Sequence, residues 1–107
     1  MNLKQIILSK LRREHRGIEN AIIRQELLSY CQYYDFGITD RELRKIVKTI
    51  PQVCNCEKGY FIPKNLDEVR YAVEYLKKKI FPLWDDIKRI QEAYPEYFKE
   101  EQLELPL

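Results

Sequence analysis

Hydrophobic positions change period along the chain, and each change marks an element. Leu3, Ile7 and Leu11 fall at i, i+4 and i+8 among Lys4, Lys10, Arg12 and Arg13, an amphipathic helix that Asn2 can cap and Gly17 ends. Ala21-Ile22-Ile23 is apolar and short enough for a brief strand. "RQELLSYCQYY" reads as a second helix with Leu27, Leu28, Cys31 and Tyr34 on its buried face. "DFG" follows as a tight turn in which Gly37 can supply a positive φ.

The stretch "TDRELRKIVKTI" carries the clearest local signal. Thr39 and Glu42 have the spacing of a capping box, in which the hydroxyl accepts from the amide three residues on and the glutamate reaches back to the threonine amide. Leu43, Ile46, Val47 and Ile50 then recur at i, i+3, i+4 and i+7, and Arg41, Arg44, Lys45 and Lys48 repeat that spacing on the opposite side. A helix with one apolar and one cationic face is expected, stopped by Pro51. Beyond it the period falls to two. "QVCNC" and "GYFIP", joined by Glu57-Lys58-Gly59, predict a β-hairpin closed by Pro63, with Cys54 and Cys56 on one face.

From Leu66 to Tyr94 the pattern is helical again. Val69, Val73, Leu76, Ile80, Leu83, Ile87, Ile90 and Tyr94 recur at alternating intervals of four and three, a heptad seam. Pro82 falls within it, so a long helix kinked there, or two helices in close succession, is expected. The C-terminal "EQLELPL" differs again: Leu103, Leu105 and Leu107 alternate, and Pro106 opposes a helix. Such a segment is suited to lie extended on a partner.

At 107 residues the chain has room for one core and an appendage. The expected organisation is a domain over 1–64, a helical extension over 65–98 and a tail over 99–107. With 45% hydrophobic and 34% charged residues, it has the composition of a folded protein. No apolar run approaches the ~20 residues of a membrane span, and Lys4 and the Lys10 to Arg13 cluster interrupt the place of a signal peptide core. No membrane partner and a cytoplasmic location are therefore expected.

Cys31, Cys54 and Cys56 are odd in number, and Cys54-Asn55-Cys56 lacks the Cys-x-x-Cys spacing of a zinc site, so free thiols and no metal or cofactor are expected. The single histidine, His15, lies among arginines and reads as a surface residue. With no glycine-rich phosphate loop, no nucleophile paired with a histidine, and adjacent Asp85 and Asp86 diverging by about 100° on a helix, an enzyme is not expected. The net charge is only +2 but unevenly spread: residues 1–64 carry net +5 and residues 65–107 net −3. The basic front suits a polyanion.

Three helices followed by a hairpin are the order of a winged helix-turn-helix. "RQELLSYCQYYDFGITDRELRKIVKTI" resembles its helix pair and "VCNCEKGYFIP" its wing, a likeness covering roughly residues 3–64. The whole chain is similar to small winged-helix proteins of phage or prophage type that carry a helical extension and a short peptide motif. The resemblance implies that the third helix enters the major groove of double-stranded DNA. Thr39, Arg41, Arg44, Lys45 and Lys48 would then face the duplex, Lys58 would sit at the wing tip, and Arg12 and Arg13 could add phosphate contacts. "QLELPL" in turn resembles the peptide that binds the bacterial DNA polymerase sliding clamp, which would place Gln102 in a polar subsite and Leu103, Leu105 and Leu107 in apolar ones.

The heptad face, Val69, Val73, Leu76, Ile80, Leu83 and Ile87, reads as the seam of a homodimer, with packing back onto the domain as the alternative. Three functions follow: a replication-associated or regulatory DNA-binding protein docked on the clamp, a dimeric transcriptional regulator whose tail is idle, or a winged-helix protein-protein adaptor.

Overall fold

The computed structural model describes residues 2–97. They form helices α1 (Leu3–Glu14), α2 (Arg24–Tyr34) and α3 (Asp40–Lys48), strands β1 (Cys54–Cys56) and β2 (Gly59–Phe61), and a long helix α4 (Leu66–Ala93). The fold is mainly helical with one small antiparallel hairpin. Two compact units divide the chain inside α4, one running to Val73 and the other starting at Glu74. No described helix is long and apolar enough to cross a membrane.

Helix ends follow local chemistry. At α1, Gln5 N donates to Asn2 Oδ1 at 2.9 Å and Asn2 N donates to Gln5 Oε1 at 3.1 Å, so both arms of a capping box are made. At α3, Thr39 Oγ1 accepts from Glu42 N at 3.2 Å, but the hydroxyl donates to the Glu42 carboxylate at 3.1 Å. The reciprocal arm expected from the sequence is thus replaced by a side-chain bond. α1 closes at His15, whose N–H donates to the Leu11 carbonyl, short of the expected stop at Gly17.

The core of the first unit gathers Ile7 and Leu11 of α1, Leu27 and Cys31 of α2, and Ile38, Leu43, Val47 and Ile50 in and beside α3. Ile22, Tyr60 and Ile62 complete it from the hairpin side. Phe61 points the other way and is also fully buried, so β2 is covered on both faces. Two expectations need correction. Tyr34 is more than half exposed, because the core-facing stripe of α2 runs through Leu27 and Cys31 and leaves Tyr34 on its flank. Gly37 does not take a positive φ; that conformation belongs to Gly17 and Gly59.

β1 and β2 pair in the register Cys54 to Phe61 and Cys56 to Gly59, which leaves Glu57 and Lys58 as the turn. The other edge of β2 is also used. Ile22 N donates to Tyr60 O at 2.9 Å and Tyr60 N to Ile22 O at 2.8 Å, the residue of the expected brief strand that does pair. Ile62 N then donates to His15 O and Gly17 N to Ile62 O, tying the strand to the end of α1. Gly59, at φ +120°, lies so close to this edge that a Cβ there would stand 2.1 Å from the Ile22 carbonyl oxygen. Only glycine fits.

α4 starts at an asparagine cap, Glu68 N donating to Asn65 Oδ1 at 3.0 Å, and the Glu68 carboxylate accepts from Lys64 N and Ile18 N. It runs unbroken through Pro82. Two helices in succession, one of the two arrangements expected at that proline, are not found.

Candidate nucleic-acid interface

Burying the apolar row of α3 dictates where its cations go. Leu43, Val47 and Ile50 are buried and Ile46 half-buried, so the opposite row, Arg41, Arg44, Lys45 and Lys48, is exposed together on one face. Thr39, at the cap of the same helix, is exposed as well. Among the described residues, no carboxylate lies within ion-pair distance of Arg41, Lys45 or Lys48. Their charge faces water.

Arg44 is different. Its Nε lies 3.3 Å from Asp40 Oδ2, and the other oxygen of Asp40 lies 2.8 Å from Arg24 Nε. Asp40 occupies the first turn of α3, where a negative charge also suits the helix dipole. One carboxylate thus joins the starts of α2 and α3 and brings a further guanidinium, Arg24, to the site. Sequence spacing gave no sign of Arg24, because it and Asp40 meet only through the packing of two helices. Beneath this cluster the buried Tyr60 phenol is pushed up, first by its burial, with Arg24 and Arg44 opposing the shift.

Lys58 is exposed in the turn of the hairpin. Arg12 and Arg13 are exposed in the last turn of α1, where cations meet the negative end of the helix dipole. Arg13 Nε donates to the Ser9 carbonyl at 3.3 Å. No hydrogen bond or ion pair among the described residues joins these three to the cationic row of α3. The neighbouring Lys10 pairs with Glu14 at 2.9 Å, holding that carboxyl below its usual range, and its ammonium covers the Tyr30 ring at 4.4 Å.

Other chemistry is quiet. Burial pushes the Cys31 thiol up to about 11 and raises Cys54 as well, the opposite of what activates a nucleophile. His15 is half-buried rather than superficial: its Nδ1 lies 2.7 Å from the Asn20 carbonyl oxygen. Among the described residues no group of three His, Cys, Asp or Glu side chains could hold a metal.

Along α4 only Ala72 is buried. Of the expected seam, Val69, Ile80 and Ile87 are half-buried, while Val73, Leu76 and Leu83 are exposed. Gln102, Leu103, Leu105 and Leu107 lie outside the described residues. Comparison with protein-family models, with curated proteins and with solved structures finds no match.

Proposed function

We propose that this chain is a winged-helix protein that binds double-stranded DNA through the outer face of α3. The observation that carries this reading is the division of that helix, with its apolar row in the core and a cationic row of four side chains exposed opposite. Helix order supports it, as does the pairing of β2 with Ile22, which gives the hairpin the third strand contact expected of a wing. Arg41, Lys45 and Lys48 neutralise phosphates, Arg44 is held by Asp40 at a fixed angle, and Lys58 reaches the backbone from the hairpin turn. Thr39 adds a hydroxyl at the helix start.

Affinity for duplex is then strongly salt-dependent. With Arg41, Lys45, Lys48 and Lys58 each releasing a counterion, log K falls with log salt at a slope of about −3.6, so raising salt from about 50 to about 200 mM weakens binding about 150-fold. Anisotropy titrations of labelled duplex at those two concentrations test it. A protein-protein adaptor would show neither binding nor slope.

In this reading the C-terminal Gln102, Leu103, Leu105 and Leu107 dock on a DNA polymerase sliding clamp, making the protein a replication-associated or regulatory factor; the support is the "QLELPL" motif. Replacing Gln102 and Leu103 by alanine abolishes binding to purified clamp if this holds and leaves duplex binding intact. The exposed heptad face of α4 makes the protein a homodimer, measurable as a doubled mass by light scattering. A dimeric transcriptional regulator with an idle tail is the outcome if the mass doubles and the clamp is not bound.

A further inference from the structure

We infer that residues 74–93 of α4 pair with the same segment of a second copy as a parallel, in-register, two-stranded coil. This rests on the dimer reading above and adds its direction.

The apolar face is continuous and largely exposed, with Ile80 and Ile87 half-buried. Leu76, Leu83 and Ile90 are 48%, 64% and 45% exposed on a helix that runs without a break from Leu66 to Ala93. Pro82 leaves the face intact. In the heptad it falls at position c, on the outer flank, and the carbonyl that has no proline N–H to accept from belongs to exposed Lys78 at position f, farthest from the seam. A bend that wraps the seam around a partner has its outer side there.

Direction is written in the residue types. Within residues 74–93, Ile80 and Ile87 occupy position a and Leu76 and Leu83 position d, with Ile90 the exception; before that segment Val73 continues the a positions and Val69 is a second exception at d. In a parallel pair, a faces a and d faces d, and β-branched side chains at a with leucine at d suit two strands. In an antiparallel pair each layer joins an a to a d, so separating the two residue types would serve no packing purpose. The flanks agree. Parallel alignment sets Lys79 and Asp86 opposite Trp84 and Gln91 of the second copy with no like charges opposed, and leaves each side chain the partner it has in its own helix.

Antiparallel alignment would instead offer Lys79 to the second copy's Asp86. Both are already engaged within their own helix: the Lys79 ammonium lies 4.4 Å from the Tyr75 ring centroid, and Asp86 lies 3.6 Å from Arg89. An exposed pair of that kind contributes little.

Disulfide trapping in the full chain tests this, with the half-buried Cys54 changed to serine. Leu76→Cys is expected to cross-link to itself under mild oxidation, and light scattering on the unmodified chain to give twice the monomer mass. A tagged Leu76→Cys mixed with Ile87→Cys yields no mixed dimer, because those positions lie about 16 Å apart along a parallel coil. Failure of Leu76→Cys to self-link, together with a mixed cross-link to Ile87→Cys, overturns the direction and leaves the dimer standing. A mass of three or four chains overturns the two-stranded coil. Monomer mass with no cross-link in any arm overturns the dimer as well.

Discussion

Replacing Gly59 by alanine tests how the hairpin is seated. At φ +120° an alanine is strained by roughly 1–3 kcal/mol. Its Cβ would stand 2.1 Å from the Ile22 carbonyl oxygen, so the chain at Ile22 must move away. That movement breaks both backbone hydrogen bonds between Ile22 and Tyr60, 2.9 and 2.8 Å, each with a net value of about 1 kcal/mol. The expected loss is therefore about 3–5 kcal/mol, a large part of the stability of a small domain. Gly37→Ala is the control, since no positive φ is needed there and nothing lies within 4 Å of its Cβ position; it should leave stability unchanged or raise it by about 0.4–1 kcal/mol. Urea unfolding followed by circular dichroism gives the free energies, and hydrogen exchange at the Ile22 and Tyr60 amides reports the broken contact directly. A Gly59→Ala chain within about 1 kcal/mol of the original, its Ile22 amide still protected, would refute this seating of the hairpin.

Other outcomes follow from the same geometry. Thr39→Ala removes the cap of α3 and lowers stability by about 1 kcal/mol, read from the urea midpoint. Asp40→Asn frees Arg24 and Arg44 and deletes a negative charge beside the cationic row, so duplex affinity measured by anisotropy rises while the start of α3 weakens by about 0.3–1 kcal/mol. The Cys31 thiol lies at about 11 in the folded protein against 9.0 as its ordinary value, so the folded state holds that proton longer. Its contribution is complete below pH 9 and is lost as pH rises toward 11, a fall of about 3 kcal/mol that Cys31→Ala should remove from the pH dependence of unfolding.

Local signals in the sequence were the most legible. The limits of α2, the cap and two-faced pattern of α3, and the hairpin all follow from short-range periodicity and turn chemistry. Tertiary choices were not. Tyr34 has the spacing of a core residue, yet α2 buries a narrower stripe centred on Leu27 and Cys31. Gly37 and Gly59 are alike as letters, and only the approach of Ile22 to β2 determines which of them must be glycine. The cationic row was readable because helical spacing fixes it. Arg24 was not, since its place beside Asp40 depends on how α2 packs on α3.

The most direct test of the proposed DNA-binding surface is an amide-resolved NMR titration of the full chain with a short duplex. Shifts concentrated at Thr39, Arg41, Arg44, Lys45 and Lys48, with a second set at Lys58, and lost in an Arg41→Ala/Lys45→Ala/Lys48→Ala variant that keeps its fold, are the predicted result. Binding that leaves the α3 amides unmoved, or that survives the triple substitution at undiminished affinity, would contradict the account.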